Sequence, residues 1–476
     1  MTKHNTVEAH GKPGLDLQPA RVLTLGLGVT VGLWMVWFGL SLPALHLPQA
    51  VVVPTVLVAW LAFTMLGARL ARPGLPVATL AGVLTALVSL MAFASTLVEQ
   101  PDPALFADGV VPLKPTAWLF GLGFVVLGGV MGAAGAALAG AASRRPSLPD
   151  ALDNPWLSRL AAVVAASFVP LVLLGGMVTS TESGMAVRGW PDTFGANMFL
   201  YPKSLQSHPR IFLEHSHRLF GTLAGFCTLT LWFVVVLNPS ARKRFGAWTT
   251  GLLVAVVIQG LVGGYRVVEN SPVLGALHGA FGQVVMAFAA TLALWMAPRY
   301  RDLPSLAGLR TRPLRLLATA ALHTSLLQLV LGSIYRHLRR DGNPGASHVL
   351  FTHIGLAFVV VTFAILAGAA LSRFAREHRE QMMSVAARVR GIGTGILVVV
   401  GLQFVLGWVA LLGVMTADTR EGIPTADELA GATAVPLAEA VTATIHQFNG
   451  AIYLVLVMLG WAWARRLHRA ARAGEA

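Results

Sequence analysis

The sequence predicts an all-α integral membrane protein with about twelve transmembrane helices, the last eight arranged as two pseudo-symmetric four-helix bundles. Three observations predict this fold class. Only 12% of the 476 residues are charged and 55% are hydrophobic, whereas soluble domains carry roughly 25% charged residues. Twelve apolar stretches approach or exceed the roughly 20 residues that a membrane crossing needs, and a Gln/Gly motif recurs along the last eight.

The positions of the basic residues indicate how these spans are oriented. With the N-terminus inside, most of the 35 Lys and Arg residues fall in cytoplasmic segments, where basic loops are retained. The net charge of +14 therefore reflects topology, and no nucleic-acid partner is implied. We expect a multi-pass protein of the cell (cytoplasmic) membrane, in contact with the lipid bilayer and with both termini cytoplasmic. The predicted spans are residues 22–42, 50–68, 76–98, 116–141, 160–180, 214–237, 247–267, 275–297, 316–335, 347–371, 390–416 and 440–464.

Three arginines depart from this distribution. Arg336, Arg339 and Arg340 follow the ninth span on the side that the topology assigns to the exterior. Two interpretations stay open: the helix end is misplaced, or the arginines form a basic rim that binds an acidic ligand.

A polar, proline-containing stretch at residues 143–154 predicts a domain boundary. Residues 1–150 before it form a four-helix membrane extension of unknown role, with no charged residue at membrane depth. The eight spans after it contain an internal repeat. We expect a first four-helix bundle at residues 155–300 and a second at residues 301–470.

The repeat is the pattern Gln-x-x-hydrophobic-Gly on alternate spans. It begins at Gln259, Gln328 and Gln403, and the fourth copy has Leu171 where the glutamine would stand. A glycine allows close helix approach and a glutamine can bond between helices. Each residue alone is also a common packing device, but their shared spacing favours a duplication.

Four histidines follow the four copies of this pattern: His217, His278, His353 and His446. Imidazoles at membrane depth are costly and typically functional. A rise of 1.5 Å per residue places all four in one layer, roughly 5–10 Å below the outer surface. Two pairs at one depth suit two bis-histidine heme sites between facing helices. Another metal site, or four histidines that only hydrogen-bond across helices, stays open as an alternative.

Glu214 lies three residues before His217 and therefore on the same helix face. A carboxylate there can polarise a ligand, stabilise a developing cation or accept a proton. Alternatively, the helix dipole and water could satisfy it. Among the remaining histidines, His348 is the main rival to His353, and we assign His337 to a loop.

Several motifs of the chain resemble the heme A synthase family. They are Gly175-Gly176-Met177-Val178-Thr179, Ser183-Gly184-Met185, Trp190-Pro191 and Glu214-His215-Ser216-His217-Arg218. Residues 444–451 are similar to the last histidine helix of that family, and residues 259–264 with His278 to its second. The resemblance covers about residues 155–465.

The resemblance implies an eight-helix pseudo-twofold oxidoreductase that oxidises the C8 methyl group of heme O to a formyl group, which gives heme A. It implies that His217 and His278 flank the substrate heme, and that His353 and His446 are axial ligands to the iron of a heme b cofactor. Glu214 is then the essential acid near the substrate. The implied partners are heme O synthase, cytochrome oxidase assembly factors and an unidentified electron acceptor.

The chain departs from the family pattern in two respects. Many family members have cysteine pairs in the outer loops, whereas the single cysteine here, Cys227, lies in the middle of a span. Any thiol-dependent step is then absent or performed by a partner. The first 150 residues also fall outside the pattern, and they could contact a partner protein, a second copy or lipid.

Two other function classes are compatible with parts of the sequence. A membrane electron carrier with two permanent b hemes would use the same four histidines. A transporter would fit the span count alone, but the duplication is four plus four spans after an unrelated four, whereas transporter repeats typically divide the whole set of spans.

Overall fold

A computed structural model describes residues 18–103, 109–141, 155–416 and 422–473 of the chain. Within these ranges, twelve helices are long and apolar enough to cross a membrane. The predicted all-α membrane fold and the number of spans are therefore confirmed. The predicted boundary at residues 143–154 lies outside the described residues.

The helices follow the chain in an up-and-down order. The long helices are α1 (Gln18–Leu40), α2 (Gln49–Ala71), α3 (Leu75–Phe93), α4 (Ala117–Leu138), α5 (Pro155–Ser180), α6 (Pro209–Leu237), α7 (Pro239–Val268), α8 (Pro272–Met296), α10 (Arg312–Arg340), α11 (Ala346–Glu377), α12 (Ala386–Met415) and α13 (Leu437–Arg472). A single-turn helix, α9 (Pro298–Arg301), lies in the connection between α8 and α10.

Several helices begin earlier than hydropathy predicts. The spans predicted from residues 214, 247 and 275 belong to helices that begin at Pro209, Pro239 and Pro272. Proline suits the first helical turn because its missing N–H would have no partner there. The residue before each proline also caps the helix: the side chains of His208, Asn238 and Ser271 accept hydrogen bonds from backbone N–H groups of the first turn. The helices therefore extend beyond the apolar core into polar segments.

The last eight long helices form two closed four-helix groups. In the first, α5 contacts α6 and α8, and α7 contacts α6 and α8; in the second, α10 contacts α11 and α13, and α12 contacts α11 and α13. The groups meet where α13 packs on α5 and α8, and where α10 packs on α8. The first group lies within residues 155–296 and the second within residues 312–472.

The N-terminal helices pack directly on the first bundle. Helix α1 contacts α5 and α6. Its Trp34 ring lies edge-on to Phe220 of α6 with centroids 5.5 Å apart, and Phe38 stacks on Phe212 at 5.6 Å. These aromatic residues are all buried and belong to one apolar core that continues into α5 to α8. The extension therefore shares its core with the first bundle.

Inside the extension, α3 and α4 cross at glycines. A Cβ atom on Gly82 would lie 2.0 Å from the carbonyl O of Gly128, and one on Gly132 would lie 2.1 Å from that of Ala78. Only glycine permits this backbone approach, which is the small-residue packing typical of membrane helices.

Candidate functional site

The four predicted histidines lie on α6, α8, α11 and α13, and each imidazole faces the glycine of the repeated motif on the preceding helix. A Cβ atom on any of these glycines would come close to the Cε1 atom of the facing ring. The pairs are Gly175 with His217 (3.1 Å), Gly263 with His278 (2.5 Å), Gly332 with His353 (2.9 Å) and Gly407 with His446 (3.3 Å). The glycine therefore makes room for the ring, and the structure places all four histidines in equivalent positions.

The glutamine of the motif bonds to the same histidine. Nε2 of Gln259 donates to the carbonyl O of His278 at 2.7 Å and lies 3.1 Å from its Nδ1. Gln328 repeats the arrangement, with Nε2 2.9 Å from the carbonyl O and 3.3 Å from the ring Nε2 of His353. Each amide therefore fixes a histidine helix and its ring together.

The other two positions differ from this pattern. Nε2 of Gln403 lies 3.3 Å from Nδ1 of His446, and Asn449 donates to the side-chain oxygen of Gln403 at 2.7 Å. Leu171 occupies the corresponding position opposite His217 and cannot donate from its side chain. The sequence repeat identified these glutamines but not their histidine partners, because a repeat does not show which residues of neighbouring helices meet.

The histidines of each half form a pair. The His217 and His278 ring centroids are 6.2 Å apart, and the rings are inclined by 84°. His353 and His446 are near enough to interact electrostatically. In the described ranges no group of three or more His, Cys, Asp and Glu side chains could hold a metal ion.

These pairs fit a group that needs two axial imidazoles. Imidazole nitrogens bond to metals at about 2 Å, so two rings on opposite sides of one iron have centroids roughly 6 Å apart. The rings of His217, His278 and His353 each face a backbone carbonyl of the preceding helix, at Leu171, Gln259 and Gln328. Such a contact orients an imidazole that ligates a metal. The residues therefore fit a heme in each half.

Glu214 is buried beside the first pair, with 3% of its surface exposed. Its Oε2 accepts a hydrogen bond from the backbone N–H of Val187 at 2.8 Å, and its Oε1 lies 2.8 Å from Nη2 of Arg218. Both oxygens are therefore held by the protein. The arginine of the same motif therefore pairs with a buried carboxylate one helical turn from His217.

Arg218 also holds the segment between α5 and α6 in place. Its guanidinium donates to the carbonyl oxygens of Val187, Gly189 and Asp192 at 2.8–3.0 Å. Because Glu214 binds Val187 as well, the carboxylate, the guanidinium and this segment form one unit. The segment is therefore held against the turn of α6 that carries Glu214 and Arg218.

The same segment contacts α7 and the second half. The Trp190 ring packs on Gly264, where a Cβ atom would lie 2.2 Å from the ring, and Nη2 of Arg266 donates to the carbonyl O of Gly184 at 2.9 Å. Arg188 forms an ion pair with Asp427, which lies between α12 and α13. The segment between α5 and α6 is therefore tied to both bundles.

Arg336, Arg339 and Arg340 lie in the last turns of α10, so they belong to a helix and not to a loop. Arg340 pairs with Glu182, and Arg339 and Arg340 each lie 3.4 Å from Oε1 of Glu439. The buried charges connect α10 to α13 and to the segment after α5. The sequence could not pair them because these glutamates lie far away along the chain.

Arg336 makes a backbone contact in the same region. It donates to the carbonyl O of Thr179 at the end of α5, at 2.7 Å. Together with the ion pairs, this bond joins the two halves at the end of the molecule that carries the histidines. The arginines that interrupted the predicted charge distribution therefore have protein partners.

Two further histidines, His348 and His337, do not face a motif glycine as the four do. His348, the predicted rival of His353, is exposed. His337 is part of α10 and half-buried, with its ring 2.7 Å from a Cβ atom built on Gly275, so its assignment to a loop is wrong. The arginine-rich sequence around it suggested a loop, but the helix continues through these residues.

Comparison with known proteins supports the motif resemblance. Residues 158–341 match the family described as cytochrome oxidase assembly protein. Heme A synthase of Rhodopseudomonas palustris (strain HaA2) is 28% identical over 222 residues, which cover 39% of this chain and 56% of the relative. Heme A synthase of Exiguobacterium sibiricum is 27% identical over 191 residues, covering 39% and 61%.

The chain thus spans less than two thirds of the length of these relatives. The family match includes Glu214, His217 and His278 and ends at residue 341, before His353 and His446. The predicted resemblance to the heme A synthase family is confirmed.

Proposed function

We propose that this chain, which resembles the heme A synthase family, oxidises the C8 methyl group of heme O to a formyl group. One observation carries the proposal: His217 and His278 form a pair with ring centroids 6.2 Å apart, and Glu214 is buried one helical turn from His217. An axial pair alone suits any heme protein. A buried carboxylate next to it adds a group for proton transfer.

In this proposal the first half holds the substrate. His217 and His278 bind the substrate iron from two sides, and the segment that covers the site excludes bulk water. Arg266, a half-buried cation that donates to the carbonyl O of Gly184, would balance substrate carboxylates. These residues hold a large apolar substrate in one orientation at the layer of the histidines.

Glu214 acts on protons. Oxidation of a methyl group to a formyl group with water as oxygen donor releases electrons to an acceptor and protons to a base. The carboxylate of Glu214 would accept a proton from the reacting group, or stabilise positive charge that develops next to it. The ion pair with Arg218 and the hydrogen bond from the backbone N–H of Val187 hold the carboxylate in position.

The second half holds a cofactor in this proposal. His353 and His446 would hold a heme b, which would supply one-electron redox chemistry when bound. Gln328 and Gln403 hold these two rings in position. We place the layer of histidines near the outer face of the cell membrane and both termini in the cytoplasm, as the distribution of basic residues predicts.

A second candidate function is a membrane electron carrier with two permanent b hemes. The repeated glycine and histidine positions in the two halves favour it, because equal sites suit two equal groups. Glu214 distinguishes the two functions, since an electron carrier needs no base next to one of its iron ligands.

The test uses protein purified in detergent from cells that make heme O. A reduced-minus-oxidised spectrum is recorded, and the bound hemes are extracted and identified by mass. We expect heme b together with heme O, a hydroxylated heme or heme A. Heme b alone, at two per chain, would favour the electron carrier, and protein without heme would overturn both proposals.

A further inference from the structure

A cavity of about 390 Å³ opens at the end of the bundles opposite the histidines. It lies between the start of α7, the end of α8, the one-turn helix α9 and the end of α13. Arg466 at this cavity is twenty residues after His446 on one continuous helix, which corresponds to roughly 30 Å. The cavity is therefore separate from the proposed heme sites.

The cavity is strongly basic. Its lining contains no acidic side chain. Four arginines line it: Arg244, Arg301, Arg466 and Arg469. Asp302 interacts electrostatically with Arg466, but its side chain is exposed to solvent. Guanidinium groups stay charged in proteins, so this concentration of like charge favours an anionic ligand with several acceptor oxygens.

Contacts with the backbone fix part of this lining. Arg466 donates from Nε to the carbonyl O of Tyr300 at 3.1 Å and from Nη2 to that of Arg301 at 2.6 Å. The Tyr300 hydroxyl donates to the carbonyl O of Ala462 at 3.0 Å. Helix α13 and the connection between the two bundles are therefore joined at this cavity, and Arg466 is held in its wall by two hydrogen bonds.

The other wall is aromatic and faces the bilayer. Trp248 is 50% exposed, and its ring lies 4.9 Å from that of Trp295. Val254 and Ile258, further along α7, are also largely exposed, as expected for the lipid-facing side of a transmembrane helix. Tryptophan is enriched at the level of lipid headgroups. The cavity thus joins a basic pocket to a surface that contacts acyl chains.

We infer that this cavity binds the phosphate headgroup of an anionic phospholipid, whose acyl chains lie along Trp248 and the exposed side of α7. Basic pockets between transmembrane helices on the cytoplasmic side bind such headgroups, and this is the side that we predict to be cytoplasmic. The aromatic wall favours a lipid over free phosphate. A bound lipid would strengthen the junction between α7, α8, α9 and α13.

The test compares two double variants of the full chain, purified in the same detergent. Arg244→Gln with Arg469→Gln removes two exposed cations of the cavity. Arg242→Gln with Arg465→Gln removes two exposed cations from the same helices that do not line it. Retained and added phosphatidylglycerol or cardiolipin are measured by native mass spectrometry, with phosphatidylcholine as the neutral lipid. Bound heme serves as the check that each variant is folded.

We expect the cavity variant to lose at least tenfold in affinity for the anionic lipids, and the control variant to bind them as the parent does. Anionic lipid should also raise the thermal midpoint of the parent but not that of the cavity variant. Equal lipid binding by all three proteins would overturn the proposal. Inorganic phosphate alone, added without lipid, should leave the midpoint unchanged, and stabilisation equal to that by lipid would overturn the lipid assignment.

Discussion

The two bundles use the same packing unit for their histidines but surround it differently. In the second bundle, both rings have an amide partner, Gln328 for His353 and Gln403 for His446. In the first, His278 has Gln259, whereas Leu171 stands opposite His217.

The first bundle has instead a buried ion pair of Glu214 with Arg218 and a covering segment that the pair holds. The glycine and histidine positions are the same in both bundles, so the polar groups around them distinguish the two proposed heme sites. Two amide-held rings suit a permanently bound group. One ring without an amide partner, beside a carboxylate, suits a molecule that is bound, oxidised and released.

The largest expected effect tests the carboxylate of the first bundle. Glu214→Gln keeps the side-chain shape but removes the charge and the proton acceptor. We expect heme A formation to fall by at least about 10²-fold, the lower range for loss of a general base, while bound heme is retained. Product is quantified by mass after extraction. Glu269→Gln, an exposed glutamate at the end of α7, should match the parent, and normal turnover by Glu214→Gln would refute the catalytic role.

The next prediction separates the two pairs of histidines. Under the proposed function, His446→Ala should remove the heme b of the second half, because an iron that loses a histidine ligand is held weakly. His278→Ala should leave heme b in place and remove the substrate heme. Heme content by mass and absorbance checks both. His348→Ala, an exposed residue of α11, is the control. Identical losses in the two variants would show that the halves are not specialised.

A smaller effect is expected from the glycines, and it should differ between them. A Cβ atom would lie 2.5 Å from the ring at Gly263 but 3.3 Å at Gly407. Overpacking costs about 1–3 kcal/mol, so Gly263→Ala should lower heme retention and thermal stability much more than Gly407→Ala. Gly260→Ala, with no atom near its Cβ position, is the control on α7. An equal response at Gly263 and Gly407 would contradict the geometry.

The smallest effect concerns the amides. Gln403→Leu gives the second bundle the residue that the first has at Leu171. The loss of one buried hydrogen bond costs about 1 kcal/mol, so heme b should dissociate roughly fivefold faster, as measured by transfer to an apoprotein acceptor. Gln283→Leu, which removes a buried amide of α8 that bonds to the carbonyl O of Gly279, is the control. If heme b dissociated from Gln403→Leu at the parent rate, this amide would not contribute to heme retention.

The spans and the four histidines could be predicted from the sequence, whereas exact helix ends and contacts between distant segments could not. Hydropathy identified the twelve spans because each must be apolar over its full length, and the four histidines were conspicuous because polar groups are costly there. Helix ends were misplaced where capping residues and proline extend the helix beyond the apolar core, as at Pro239. Contacts between distant segments were not predictable.

The partners of Arg340 illustrate that last limit. From the sequence, Arg336, Arg339 and Arg340 could be either a misplaced helix end or a basic rim that binds an acidic ligand. Glu182 and Glu439 pair with Arg340 only because α10, α13 and the end of α5 meet in the fold. The role of the glutamines was likewise visible only once each helix was seen against its neighbour.

The docking of α1 on the first bundle has a consequence for how the chain assembles in the membrane. Thr24 of α1 bonds to the carbonyl O of Trp156 in α5, 132 residues further along the chain, and Trp34 packs on Phe220 of α6. During synthesis α1 therefore enters the bilayer well before its partners exist. Lipid must cover its aromatic side until α5 and α6 arrive and displace it, so α1 reaches these two contacts only after the segments between them have been made.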